Sequence, residues 1–141
     1  SIIGRNSFQR PKAEALDLAP LAIFRHFVVV GTPPDIMGVG PVPAIRKLVE
    51  VSGVKLGDIG CFEINEAFAA QAAYCVRELG LDPARVNPNG GAIALGHPLG
   101  ATGAVLTAKL VHEMKRERHR YGVVSMCIGG GMGAAALFER P

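Results

Sequence analysis

The sequence has no C-x-x-C pair, and its three cysteines, Cys61, Cys75 and Cys127, are odd in number and widely spaced. That excludes a disulfide framework and a structural zinc site, so no metal is expected, and it points to a reducing intracellular compartment. No apolar run reaches the roughly 18 residues that a membrane span needs, and no signal-peptide pattern stands near the start. The chain therefore reads as soluble, with no membrane span. There is little excess of either charge, since fifteen Lys and Arg stand against twelve Asp and Glu to leave +3. The one dense basic run, "KRERHR" at Lys115 to Arg120, closes a predicted helix, where cations suit the negative end, and no aromatic residues interleave with it. On that ground no nucleic-acid partner is expected. Low-complexity segments and solenoid repeats are missing as well.

What is present is 141 residues, 49% of them hydrophobic, enough for one substantial core and little more. The chain opens on "SIIGRNSFQRPKAEALDLAP", without an initiator Met and with little periodicity before Ala13, as an interior cut from a longer polypeptide would. Residues 1–20 are read as the tail of a preceding domain or a linker, and residues 21–141 as one domain.

Within that domain "IFRHFVVV", Ile23 to Val30, is β-branched and aromatic and reads as a buried strand. "TPPDIMGVGPVP" is too rich in proline and glycine for regular structure and is expected to be a long loop. A helix should begin near Pro41 or Pro43, carry Ile45, Leu48 and Val49 on one face, and stop at Gly53. "IGCFEI" gives a second strand. From Glu66 the spacing of Phe68, Ala72, Cys75, Val76 and Leu79 is helical. "GAIAL" is expected to be a third strand. Pro98 then suits the first turn of a helix reaching about Arg116, with Thr107, Leu110, Val111 and Met114 as its apolar stripe. "YGVVSMCIG" and "GAAALFE" are two strands joined too closely for a helical crossover. The order β-α-β-α-β-α-β-β implies an α/β domain: a mixed, mostly parallel five-stranded sheet with helices on both faces and its last strand antiparallel.

Three polar points lie just past predicted strand ends: Asn65 with Glu66, His97, and Cys127. Ligands of open α/β sheets bind at that edge, so residues distant in sequence can converge there. Gly96 lets another group approach His97, and the N-terminal end of a helix begun at Pro98 disfavours an imidazolium. The result is a neutral histidine able to take or donate a proton. A capping or core histidine is the alternative, and that reading suits His26, His112 and His119. Cys127 precedes "IGGGMG", whose small residues leave backbone N–H groups free to face an oxyanion. Cys61 and Cys75 read as packing residues. "GGGMGA" is followed by too few residues to be a dinucleotide fingerprint, and "GHPLGATG" has no Lys and is no P-loop. The residues themselves support small-molecule acyl or proton-transfer chemistry at one sheet edge.

Four motifs, "DIMGVGPVPAIRK", "INEAFAAQ", "NPNGGAIALGHPLGATGA" and "MCIGGGMG", together resemble the C-terminal half of the thiolases, acetyl-CoA acyltransferases that cleave or form 3-ketoacyl-CoA. The likeness runs from about Ala13 to the end, and the local wording is most similar to the degradative 3-ketoacyl-CoA thiolases. The resemblance implies a layered thiolase-like domain, with CoA and acyl-CoA as substrates and no tightly bound cofactor. It also implies that Asn65 would hold a water which, with the His97 side chain, forms an oxyanion hole for a thioester carbonyl. His97 would also activate a nucleophilic cysteine, Cys127 would be the acid and base at the α-carbon, and Gly129 would lend its N–H to a second oxyanion hole. Met37, Ala67 and Phe68 would line the pantetheine channel, and Glu66 would buttress the site. The acyl-carrying cysteine of thiolases belongs to an N-terminal half, and neither Cys61 nor Cys75 lies in its motif. The expected partner is therefore an N-terminal thiolase half, within a homodimer or homotetramer, and this chain by itself is expected to be inactive. The compartment implied is bacterial cytoplasm, peroxisome or mitochondrion. Alternatives are a ketoacyl synthase-type condensing enzyme, or a non-catalytic thiolase-like module that binds acyl-CoA or lipid or only dimerises.

Overall fold

A computed structural model describes residues 19–141, so the tail expected over residues 1–20 lies almost wholly outside the described residues. Strand β1, Ile23–Gly31, forms where branched and aromatic side chains suit a pleated surface. The segment after it is not a structureless loop: Pro34–Val39 is a 3-10 helix, kinked at Ile36, whose φ is −119°. Proline at its first position presets φ at no cost in hydrogen bonds, which allows the short helical piece that a proline count alone discourages. Helix α1, Pro41–Ser52, starts at the expected proline and buries Ile45 and Leu48. It ends at Gly53, which turns left-handed (φ 69°) so that its N–H reaches the Val49 carbonyl.

Strand β2 is Ile59–Ile64 and helix α2 is Ala69–Glu78. Helix α2 starts three residues after Glu66 because Phe68 is extended, with φ −141°. Gln71 reaches back to accept the Phe68 N–H at 3.4 Å, which satisfies one of the orphan donors of the first turn.

The expected third strand is absent. Ala92–Leu95 is a single helical turn, α3, and the sheet among the described residues has four strands rather than five. A four-residue apolar run cannot be told from a helix by periodicity, and alanine favours the helix. Helix α4 is Thr102–Arg116, so Pro98 lies outside it; the Pro98 carbonyl accepts the N–H groups of Ala101 and Thr102, both at 2.8 Å. Its buried stripe is Thr102, Leu106, Leu110, Glu113 and Met114, which leaves the expected Thr107 and Val111 half-buried at the flank.

Strands β3, Tyr121–Ile128, and β4, Met132–Glu139, form the expected hairpin. The sheet order is β1-β4-β3-β2, with β2 parallel to β3 and β4 antiparallel to both of its neighbours. The last strand is antiparallel as expected. Because it lies between β1 and β3, however, most pairings are antiparallel, and the sheet is mixed rather than mostly parallel. Helices cover both faces. On one, Phe62, Ile64, Val123 and Leu137 pack with Ile45, Leu48 of α1 and Cys75 of α2. On the other, Cys61, Val124, Ala136 and Phe138 pack with Leu106, Leu110 and Met114 of α4. Each such buried aliphatic or aromatic side chain contributes roughly 1.5–3 kcal/mol of transfer free energy.

Candidate active site

Asn65 is the first residue past β2. Its N–H bonds to the Ser125 carbonyl at 2.9 Å and carries the parallel ladder one step beyond the strand. The side chain is 1% exposed. Its Nδ2 lies 3.3 Å from His97 Nε2, while Oδ1 is buried with no hydrogen-bond partner among the described residues.

His97 does not follow a strand, and the helix beyond it starts at Thr102 instead of Pro98. Its ring is held by side chains instead of by a helix end. Nδ1 lies 2.7 Å from the Thr102 hydroxyl, which itself donates to the Pro98 carbonyl at 2.9 Å. Gly96, with φ 95° and ψ 163°, turns the chain from α3 into this loop in a conformation that side chains other than glycine's resist. His97 is exposed; Asn65 and Thr102 beneath it are buried.

The loop that delivers His97 is fastened to β2 by side chains. The Glu66 carboxylate accepts the Ile93 N–H and the Asn87 amide, each at 3.0 Å. Asn87, left-handed at φ 48°, pairs its amide with both the N–H (2.9 Å) and the carbonyl (2.8 Å) of Ile64. A side chain at Gly91 would strike the Glu66 carboxylate, so the glycine makes room for it. Lys109 of α4 donates to Glu63 Oε2 at 2.6 Å and to the Gly90 carbonyl, joining helix, strand and loop. Glu63 is fully buried and its other oxygen has no partner among the described residues. Burial pushes its carboxyl above the usual range, and the Lys109 ammonium pulls against that push.

Cys127 is the penultimate residue of β3, opposite Gly133, and half-buried. It stands two residues beyond Ser125, and therefore about 7 Å along the strand from the rung that Asn65 extends. Burial raises its thiol. No hydrogen bond joins it to His97 among the described residues. Gly129 is exposed in the hairpin turn, Met37 is half-buried in the 3-10 segment and Ala67 is half-buried, while Phe68 is 60% exposed. Helix α2 is tied to the Met37 segment through the buried Cys75, whose Sγ lies 3.7 Å from the Gly38 carbonyl. Burial raises the Cys75 thiol, with a smaller contribution from Cys127. Cys61 is pushed up to about 12, first by burial and then by Glu63. Neither thiol is available as a thiolate near neutral pH.

A buried amide beside an imidazole can orient the ring and leave it free to take or give a proton. The family model described as the thiolase C-terminal domain matches residues 18–140, and the chain belongs to the thiolase family as such a domain. It is 62% identical over 130 residues to a 3-ketoacyl-CoA thiolase of Bacillus subtilis, covering 92% of this chain and 33% of that protein. It is 59% identical over 134 residues to the human peroxisomal 3-ketoacyl-CoA thiolase, covering 94% of this chain and 32% of that one. Among solved structures, human mitochondrial 3-ketoacyl-CoA thiolase in complex with CoA superposes with a TM-score of 0.88 at 46% identity, over 93% of this chain and 33% of that one. The chain thus spans about a third of the length of the relatives it matches. The layered α/β architecture is that of the thiolases.

Four residues that the sequence reading did not single out shape the site: Thr102, Asn87, Glu63 and Lys109. Thr102 had a signal, a hydroxyl residue where a helix begins five positions after the histidine. The Glu63–Lys109 pair had none, since its members are 46 positions apart.

Proposed function

We propose that this chain is the C-terminal catalytic half of a thiolase that transfers acyl groups between CoA and 3-ketoacyl-CoA, by thiolytic cleavage or Claisen condensation. The observation that carries this reading is the Asn65–His97 contact, with Asn65 bonded through its backbone to the strand that bears Cys127. The nucleophilic cysteine belongs to an N-terminal half outside this chain; the raised, buried thiols of Cys61 and Cys75 suit neither that role nor access by substrate. His97 takes the proton of that thiol. Its N–H, with a water held by Asn65, then stabilises the oxyanion of the thioester.

Cys127 exchanges a proton with the α-carbon of the second acyl group. Its raised thiol is protonated near neutral pH, the form that returns a proton to the carbanion during cleavage. Gly129, in the exposed turn, supplies a second oxyanion N–H. Met37, Ala67 and Phe68 line the pantetheine path, for which the exposure of Phe68 is suited. Glu66 buttresses the site by clamping Asn87 and Ile93.

The partner half docks on the α4 side of the sheet. Helix α4 covers β2 and β3 there and leaves β1 bare: Phe27 and Val29, paired with Ala136 and Ala134, are 56% and 49% exposed. The three free cysteines fit a reducing compartment, bacterial, peroxisomal or mitochondrial as in the named relatives. The test combines this chain with its N-terminal half and assays CoA-dependent cleavage of acetoacetyl-CoA. Activity is expected from the pair and from neither half by itself; a well-folded pair without activity refutes the reading.

A further inference from the structure

We infer that Thr102 is a positioning residue that fixes the proton of the neutral His97 ring on Nδ1, so that Nε2 faces Asn65 as a lone pair ready to accept a proton. The inference rests on the proposed role of His97 in acyl transfer, although its structural part can be tested without any activity. It follows from counting protons. A threonine hydroxyl has one proton to give. Thr102 Oγ1 lies 2.9 Å from the Pro98 carbonyl and 2.7 Å from His97 Nδ1. A carbonyl oxygen can only accept, so the hydroxyl proton must lie between the two oxygens; without it two lone-pair oxygens would face each other in a site where Thr102 is 4% exposed. The hydroxyl oxygen can then only accept from the ring, and Nδ1 must carry the hydrogen. In the neutral ring Nε2 is left unprotonated.

The other side of the ring agrees. Asn65 Nδ2, a donor, is the atom 3.3 Å from Nε2, and Asn65 Oδ1, which would need a donor, is buried without a partner among the described residues. The Pro98 carbonyl is itself fixed, because it also takes the N–H groups of Ala101 and Thr102 at the entry to α4. The chain Pro98 carbonyl, Thr102 hydroxyl, Nδ1–H, Nε2 therefore runs in one direction. When Nε2 gains a proton the Nδ1–H···Oγ1 bond is unchanged, so the ring becomes a two-sided donor without turning.

The structural test is long-range ¹H–¹⁵N correlation spectroscopy of the ¹⁵N-labelled chain at a pH where imidazole is neutral, with His97 identified by its loss in His97→Asn. The wild type and Thr102→Ser should both carry the proton on Nδ1, and Thr102→Val, which keeps the shape and removes the hydroxyl, should shift toward the Nε2–H tautomer. A wild-type ring protonated on Nε2, a serine variant that loses the bias or a valine variant that keeps it would overturn the inference. If the valine variant does not fold, the wild-type and serine spectra still decide.

In the reconstituted pair, Thr102→Val should slow acylation on the order of a hundredfold, the lower end of what a general base contributes, and Thr102→Ser should restore it. Acylation at the wild-type rate in a valine variant whose tautomer has shifted would overturn the positioning role. A wild-type pair that transfers no acyl group would sink the proposed function and leave the tautomer result standing.

Discussion

The Lys109–Glu63 pair offers the sharpest test of how the site is held. Lys109→Met keeps the aliphatic stem and removes the ammonium. Among the described residues Glu63 then loses the one partner of Oε2, while Oε1 already has none, and its side chain is fully buried. Removing one member of a buried pair costs about 3–5 kcal/mol, because the remaining charge is left uncompensated. The Gly90 carbonyl also loses a donor, a smaller neutral loss of about 1 kcal/mol. The sign with pH is fixed. Burial already raises the Glu63 carboxyl, and without Lys109 it rises further. A folded carboxyl raised above its unfolded value contributes stability below about pH 4.3, lost as pH climbs through the folded value.

Urea unfolding followed by far-UV circular dichroism should therefore find Lys109→Met about 1 kcal/mol behind wild type near pH 5, from the Gly90 bond, and several kcal/mol behind it at pH 8. Glu63→Gln combined with Lys109→Met removes both charges and should recover most of the deficit. A pH-independent deficit, a loss below about 1 kcal/mol at pH 8, or a double variant as unstable as Lys109→Met would refute the reasoning.

Other expectations follow from the same geometry. Cys61→Val should flatten the alkaline limb of stability: the thiol raised to about 12 favours the folded state below pH 9 and loses that contribution as pH rises, so wild type should lose about 3 kcal/mol more than the variant by pH 11. Gly91→Ala, at φ −112° where alanine is comfortable, acts only through the collision with the Glu66 carboxylate; a loss of about 1–3 kcal/mol in denaturant unfolding is expected, and a neutral variant would show that the clamp is loose. In the reconstituted pair Cys127→Ala should spare acylation of the nucleophile yet stop condensation, and isotope exchange at the α-carbon that survives the substitution would refute the role given to this thiol. The isolated chain should bind a hydrophobic dye and self-associate with concentration through Phe27, Val29 and Leu99, the last 82% exposed; sedimentation as a dye-silent monomer would contradict the open face.

Where covalent constraint decides, the sequence was readable. Pro41 and Gly53 bracket α1 because one presets φ and the other alone takes the left-handed turn without strain. The β3–β4 hairpin was legible from two branched or small-residue runs separated by glycines. The misreadings arose where tertiary contacts decide. "GAIAL" became a helical turn with the Glu66 carboxylate on its Ile93 N–H, a partner 27 positions away that no local pattern announces. The position of β4 between β1 and β3 was hidden for the same reason: alternation reveals that a strand exists and not which strands it joins. Asn65, His97 and Cys127 were each visible as polar residues in apolar or glycine-rich surroundings. The residues that steer them were not, since a buried threonine or a lysine at helical spacing reads as ordinary packing or surface.

The exposure of His97 makes those steering residues decisive. A buried catalytic group is positioned by the packing around it, but His97 is exposed in a loop and gains little from close packing. Its placement comes from directed contacts: Asn65 and Thr102 on the ring, then Glu66, Asn87 and Lys109 on the segment from Asn87 to Ile93. Each neutral hydrogen bond contributes about 1 kcal/mol net and each charged one about 1.5–3, so the loop is held by several modest contacts rather than one dominant one. Loss of any single contact should therefore blur the imidazole position before it unfolds the domain, and rate should fall in variants that remain fully folded at the assay temperature although their melting curves shift by a few degrees. Lys109→Met is the exception, because it strands a buried charge; it alone among these contacts couples the geometry of the site to the stability of the fold.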